Sequence, residues 1–167
     1  MTDEPIQIAP HNPAWPARFE AERELLAAAI GGVATGGIHH VGSTAVSGLA
    51  AKPTVDILVG VDSLEASLGC FGPLADLEYL YAPYLPEEMH WFCKPDPNRR
   101  EFHLHLIPTG SQRCRDELAF RDRLRADPGL ASAYAALKLD LAARFPTDRD
   151  AYTEAKAAFI RTALAQL

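Results

Sequence analysis

Residues 39–61 read HHVGSTAVSGLAAKPTVDILVGV. A short apolar run ends in Gly42-Ser43-Thr44. A flexible segment follows, carrying Lys52, the only Lys between Arg23 and Lys94, and a second apolar run, Val55 to Val61, then holds a single acid, Asp56. Runs that are short, rich in β-branched residues and bounded by Gly or Pro predict strands, here over residues 37–42 and 53–61. A carboxylate inside such a strand is costly to bury unless a cation, a metal ion or several donors compensate it. Asp56 is therefore either one half of a structural ion pair or a functional group. The turn before it is also open to two readings. Gly-Ser-Thr makes an ordinary loop, or its backbone N–H groups and two hydroxyls cradle a phosphate. Lys52 is either a solvated loop charge or a phosphate contact, and Pro53 fixes the direction of the chain into the strand.

A second strand pattern stands in residues 100–108, REFHLHLIP, with Phe102, Leu104 and Leu106 on one face and His103 and His105 on the other. The two imidazoles are about 7 Å apart at Cα, close enough to reach one ion or one substrate. Two histidines on a solvated strand face would give the same pattern, so metal binding and simple exposure both stand. His40, at the end of the strand before the Gly-Ser turn, is a third candidate.

Around these runs the chain reads as helix and strand in turn. Phe19, Leu25, Leu26 and Ile30 fall at near-helical spacing, with Pro16 in a first turn and Gly31-Gly32 as the stop. A segment around Ile6 to Ile8 is expected to be extended, residues 63–77 predict a helix interrupted at Gly72-Pro73, and residues 78–84 and 89–95 predict strands. From Ser111 onward the pattern is helical, divided by Asp127-Pro128-Gly129 and by residues 145–148 into three helices, the last capped by Thr147 or Asp148. This order predicts an α+β fold, a mixed β-sheet covered by helices with a C-terminal three-helix segment, in one domain over residues 1–167. Within the last two helices, Tyr134, Lys138, Leu141 and Phe145, and again Tyr152, Lys156 and Phe159, put each lysine along an aromatic stripe. Either their stems snorkel over the core, or the two ammonium groups face phosphates in a cleft. Arg121 and Arg125 are expected on a salt-bridged solvent face with Asp122 and Glu117.

Composition narrows the class. The chain has 167 residues, 48% of them hydrophobic, enough for a real core. The absence of a basic-then-apolar leader and of any membrane-length apolar run leads to the expectation of a cytoplasmic protein with no membrane partner. Cys70, Cys93 and Cys114 are odd in number and widely spaced, which points to free thiols. A net charge of −6 argues against nucleic-acid coating, which depends on many Lys and Arg contacts. The charge is unevenly placed: residues 1–108 carry 6 Lys+Arg against 14 Asp+Glu, and residues 109–167 carry 10 against 8, so the C-terminal part can face an anion.

The stretch at 39–61, FHLHLI at 102–107, the opening APHNPAWPARFEAE and the helical run from Leu118 to Ile160 together resemble the GrpB family over essentially the whole chain. The resemblance implies a nucleotidyltransferase-like fold, the core shared with polymerase-beta-type enzymes. That superfamily carries a Gly-Ser turn, then a strand with Asp-x-Asp or Asp-x-Glu, and a third carboxylate on a neighbouring strand. Gly42, Ser43 and Asp56 match; position 58 is Leu, and Glu101 only flanks the second strand. His39 stands where the family often has Glu, and Ser47 where it often has Pro.

The expectation that follows is a divergent nucleotidyltransferase. Its nucleotide, or another phosphorylated ligand, would be held by Gly42, Ser43, Thr44, Lys52, Lys138 and Lys156, with Asp56 as the catalytic acid. Asp56, His103 and His105 would hold one divalent ion, Mg²⁺, Mn²⁺ or Zn²⁺. Paired Mg²⁺ needs several oxygen ligands, and one Asp with two His suits a single transition ion better. A non-catalytic binding module of the same fold and a metal-dependent hydrolase are the alternatives.

Overall fold

The computed structural model describes residues 5–166. Its first helix, α1 (Trp15–Ile30), starts with Pro16 in the first turn, where a missing N–H costs nothing. Its buried stripe is Trp15, Phe19, Glu22, Leu26 and Ile30. Leu25, expected on that stripe, is 47% exposed, because the spacing of three and four residues runs through Leu26 instead. Glu22 is satisfied inside the core by Lys94 Nζ at 2.8 Å and by the Tyr79 hydroxyl, which donates at 2.9 Å.

Five strands follow: β1 (Ile38–Val41), β2 (Val55–Val61), β3 (Leu80–Tyr81), β4 (His90–Asp96) and β5 (Arg99–Pro108), in the spatial order β1-β2-β5-β4-β3. The central β2–β5 pair is parallel and the other pairs are antiparallel, so the sheet is mixed. The period of two divides its faces. Val55, Ile57, Val59 and Val61 join Phe102, Leu104 and Leu106 on the face packed against α1 and the short helix α2 (Phe71–Asp76). Val41, Leu58 and Ile107 lie on the opposite face under α3 (Gln112–Ala126), touching its Cys114 and Leu118. Two further helices, α4 (Pro128–Arg144) and α5 (Arg149–Ala165), complete the C-terminal segment. They pack with α3 around Val46, Leu49, Leu124, Tyr134 and Phe159.

The α+β architecture with its mixed sheet and three terminal helices is the one the sequence predicts. Three local expectations change. Gly72-Pro73 does not interrupt a helix over residues 63–77: it lies in the first turn of α2, preceded by a short 3-10 turn (Leu68–Cys70), because proline is tolerated where the N–H has no intrahelical partner. The strand expected over residues 78–84 shrinks to Leu80–Tyr81 at the sheet edge. The segment around Ile6 to Ile8 forms no strand; Ile6 N–H bonds to the Pro146 carbonyl at 2.7 Å, and Ala9 bridges to Ala51. The cap of α5 is Asp148, whose carboxylate accepts from Ala151 N–H at 2.9 Å. Cys70, Cys93 and Cys114 are free and buried, as expected. Among the described residues no helix is long and apolar enough to cross a membrane.

Candidate metal and anion cleft

The register of the central strands assembles the first part of the site. Asp56 on β2 stands beside Val41 on β1 and His103 on β5, while Leu58 stands beside His105. Since side chains two residues apart share a face, Asp56, His103 and His105 converge without any loop having to fold over them. His103 Nδ1 is 2.9 Å from Asp56 Oδ1, and His105 Nε2 is 4.0 Å from the same oxygen. One ligand atom from each of the three lies within 4.8 Å of the others.

Their electrostatics favour an ionised acid between uncharged or shared imidazoles. Burial alone pushes the Asp56 carboxyl up, but the His103 hydrogen bond and the nearby charges of His103, His105 and Lys52 outweigh it and hold it at about 2. Burial pushes His103 down, so it is read as a neutral ring donating Nδ1–H to Asp56. That leaves His103 Nε2 buried with no hydrogen-bond partner, and His105 Nε2 likewise. Burial also opposes a charge on His105, yet Glu117 on α3, with an oxygen 3.4 Å from Nδ1, raises it above the ordinary value. Glu117 is in turn held down, against its burial, by His105 and by Arg113 at 3.3 Å.

The Gly-Ser turn closes one side. Gly42 takes φ +72°, and a Cβ there would lie 2.5 Å from Asp56 Oδ2, so the position requires glycine both for its backbone and for its neighbour. Ser43-Thr44-Ala45 form a single 3-10 turn. Arg121 and Arg125 of α3 are not a solvent face. Arg121 pairs with Asp122 at 2.8 Å as expected, but its other arm donates to the His40 carbonyl at 3.2 Å, and Arg125 donates to the Ala45 carbonyl at 2.9 Å. Both guanidinium groups thereby tie down the turn's backbone. The expected partner Glu117 serves His105 and Arg113 instead. His40 stays outside the metal cluster: its ring stacks on Phe19 at 4.8 Å, Nε2 meets the Thr44 hydroxyl at 2.8 Å, and burial lowers it to about 4.

Helices α4 and α5 supply the facing wall. A cleft of about 490 Å³ is lined by Gly42, Ser43, Thr44, Lys52, Asp56, His103, His105, Lys138 and Lys156, the whole set singled out from the sequence. Lys52 and Lys156 both approach the ring of Tyr152, at 5.3 and 4.3 Å. Lys138 is 2% exposed, lies 5.0 Å from the Tyr134 ring, and donates to the Ala50 carbonyl. Snorkelling and a cleft-facing role therefore coexist: the stems pack on aromatic rings while the ammonium groups crowd one another. Burial first, then Lys52, drives Lys138 to about 8 and Lys156 to about 7, with Asp56 opposing in each case. Sequence reasoning missed Tyr84, Trp91, Arg100 and Arg149, which also line this cleft. Arg100 opens the REFHLHLIP stretch on β5 without belonging to its His-x-His pair, and the other three enter only through the folding of β4, the β3–β4 connection and α5 around the sheet.

A family model described as GrpB protein matches residues 5–166. The chain belongs to the GrpB family. It is 40% identical over 160 residues to a UPF0157 protein of Pseudomonas aeruginosa, covering 92% of this chain and 64% of that protein's length. The crystal structure of conserved protein GrpB from Enterococcus faecalis superposes with a TM-score of 0.86 at 31% identity, covering 96% of each chain. A more distant similarity, 28% identity over 187 residues, is to a dephospho-CoA kinase of Mycolicibacterium paratuberculosis; it covers 95% of this chain and 45% of the kinase.

In this GrpB chain the donor set tests which ion the cleft could hold. Two imidazoles and one carboxylate suit Zn²⁺, Mn²⁺ or a similar ion, whereas Mg²⁺ prefers an oxygen shell. The buried, unpartnered His103 Nε2 and His105 Nε2 add donor capacity that the fold leaves unused. Leu58, where a second acid would stand, is fully buried against Met89, Cys114 and Ile107.

Proposed function

We propose that this chain is a divergent nucleotidyltransferase that works with a single divalent transition-metal ion. The observation that carries the reading is the opposition, across one cleft, of the Asp56–His103–His105 cluster and the Lys52, Lys138 and Lys156 ammonium groups. Lys52, Lys138 and Lys156, with Arg149, outnumber the carboxylates of Asp56 and Asp150 in the lining and leave an excess of positive charge, which a polyphosphate would neutralise. The Gly42-Ser43-Thr44 turn, pinned from behind by Arg121 and Arg125, would present backbone N–H groups to the same phosphates. An ion on Asp56, His103 and His105 would supply charge stabilisation at the transferring phosphorus. The relative named dephospho-CoA kinase supports phosphate chemistry in a protein carrying a similar segment.

Leu58 favours a second reading, a binding module that holds the same ligand without transfer, because the fold packs a hydrocarbon where a second acid would bind a second ion. The test is common to both. The purified chain is titrated with ATP, GTP, CTP and UTP in Mn²⁺, Mg²⁺ or Zn²⁺, with melting temperature and pyrophosphate release as readouts. Stabilisation with Asp56-dependent pyrophosphate release supports the transferase when the nucleotidyl group is recovered on an added hydroxyl or amine acceptor, and a hydrolase when it is recovered as the free nucleoside monophosphate. Stabilisation alone, lost in Asp56→Asn, establishes the module, and no response to any nucleotide at millimolar concentration removes both.

A further inference from the structure

The cleft has two chemically different ends. The end formed by α4 and α5 carries Lys138, Arg149, Asp150 and Lys156, while the end formed by β4 and the β3–β4 connection carries Ala82, Pro83, Tyr84 and Trp91, with Arg100 of β5 beside Trp91. Tyr84 is 46% exposed, one of the few large aromatic side chains the fold leaves open. Trp91 stands directly across the sheet from His105, and its ring centre is 4.8 Å from that of His103. The segment is held in place on both sides. Ala82 N–H bonds to the Trp91 carbonyl at 3.0 Å, and Glu88 and Met89 N–H bond to the Leu85 carbonyl at 2.9 and 3.1 Å.

An aromatic lip beside a cationic wall, with the metal-ligand cluster between them, matches a ligand that has a flat ring at one end and phosphates at the other. We infer that Tyr84 and Trp91, with Pro83, form a stacking subsite for the base of a nucleotide whose phosphates lie toward Lys52, Lys138 and Lys156. The inference rests on the reading of the cleft as a phosphate site and adds where the base of its nucleotide lies. Every base presents a π-face and stacking tolerates any sequence, so the subsite accepts all four bases and prefers the larger purines, with Arg100, whose guanidinium lies 5.3 Å from the Trp91 ring centre, at its edge.

The test compares tripolyphosphate with ATP, GTP, CTP and UTP by calorimetric titration in the presence of Mn²⁺. Each nucleotide is expected to bind at least about tenfold more tightly than tripolyphosphate, the scale of one stacking contact. Tyr84→Ala, at an exposed position, should erase most of that advantage and leave tripolyphosphate affinity within about twofold, with an unchanged melting temperature. Trp91→Phe keeps a ring in the fold and should reduce the purine preference. Equal affinity for tripolyphosphate and the nucleotides, or a Tyr84→Ala loss shared equally by both, overturns the subsite and leaves the phosphate reading standing. Failure of tripolyphosphate and nucleotides alike overturns both.

Discussion

Gly42 sets the spacing between the turn and the acid. Its φ of +72° would strain any L residue, and its missing Cβ is what lets Asp56 Oδ2 approach. Gly48 offers a control, because it has φ +79° with open space around it. Gly48→Ala should therefore cost only the left-handed backbone penalty, about 1–2 kcal/mol. Gly42→Ala should cost more and should also displace the Asp56 carboxylate, weakening Mn²⁺ or Zn²⁺ binding. Denaturant midpoints and metal titration on the two variants separate the effects, and equal losses of stability with unchanged metal affinity would remove the steric argument. The glycine is legible in the sequence as a turn residue. Its contact with Asp56 is not, because that contact depends on β1 and β2 pairing so that Val41 stands opposite Asp56.

At the scale of elements, α3 does more than cover the sheet. Its apolar side buries Leu58, its arginines hold the Gly-Ser turn, and its Glu117 reaches His105. Restoring the missing acid should consequently fail: Leu58→Asp puts an uncompensated carboxylate beneath Cys114 and Leu118, with an expected loss of several kcal/mol and no second metal. Urea unfolding and metal stoichiometry report both, and a stable variant that binds two ions would show that α3 yields. Glu117→Gln keeps the size of the side chain but removes the charge that orients His105. Loss of such a partner typically weakens metal affinity 10–100-fold, here with little change in urea midpoint, and an unaltered affinity would reduce Glu117 to a partner of Arg113. The alternation in β2 and β5 made the two faces of the sheet readable, since a period of two needs no tertiary knowledge. The roles of Glu117, Arg121 and Arg125 were not readable: a helix rich in charges looks like a solvent face until its rotation against the sheet is known.

Across the whole molecule, a chain of net charge −6 gathers three of its four lysines into one cleft. Lys138 and Lys156 lie far from Lys52 in sequence, and their stripes gave only a choice between snorkelling and phosphate binding; packing of α4 and α5 against residues 46–49 settles where they point. The crowding has a consequence for stability. Lys156 falls to about 7 from an ordinary 10.5 because burial and Lys52 disfavour its charge, and Lys138 falls to about 8. Between these folded values and 10.5 the unfolded chain binds more protons than the folded one, so this contribution makes stability rise with pH across that window, and the penalty is fully present below pH 7. Lys156→Met should flatten the rise and raise the melting temperature of the ligand-free chain at pH 6. A polyanion that pairs with the ammonium groups reverses the shift, so tripolyphosphate binding at pH 8 should take up protons. Calorimetry in two buffers of different ionisation enthalpy measures that uptake, which should shrink in Lys156→Met. A wild-type chain that binds tripolyphosphate with no proton uptake would mean that the lysines are already charged and that another group compensates them.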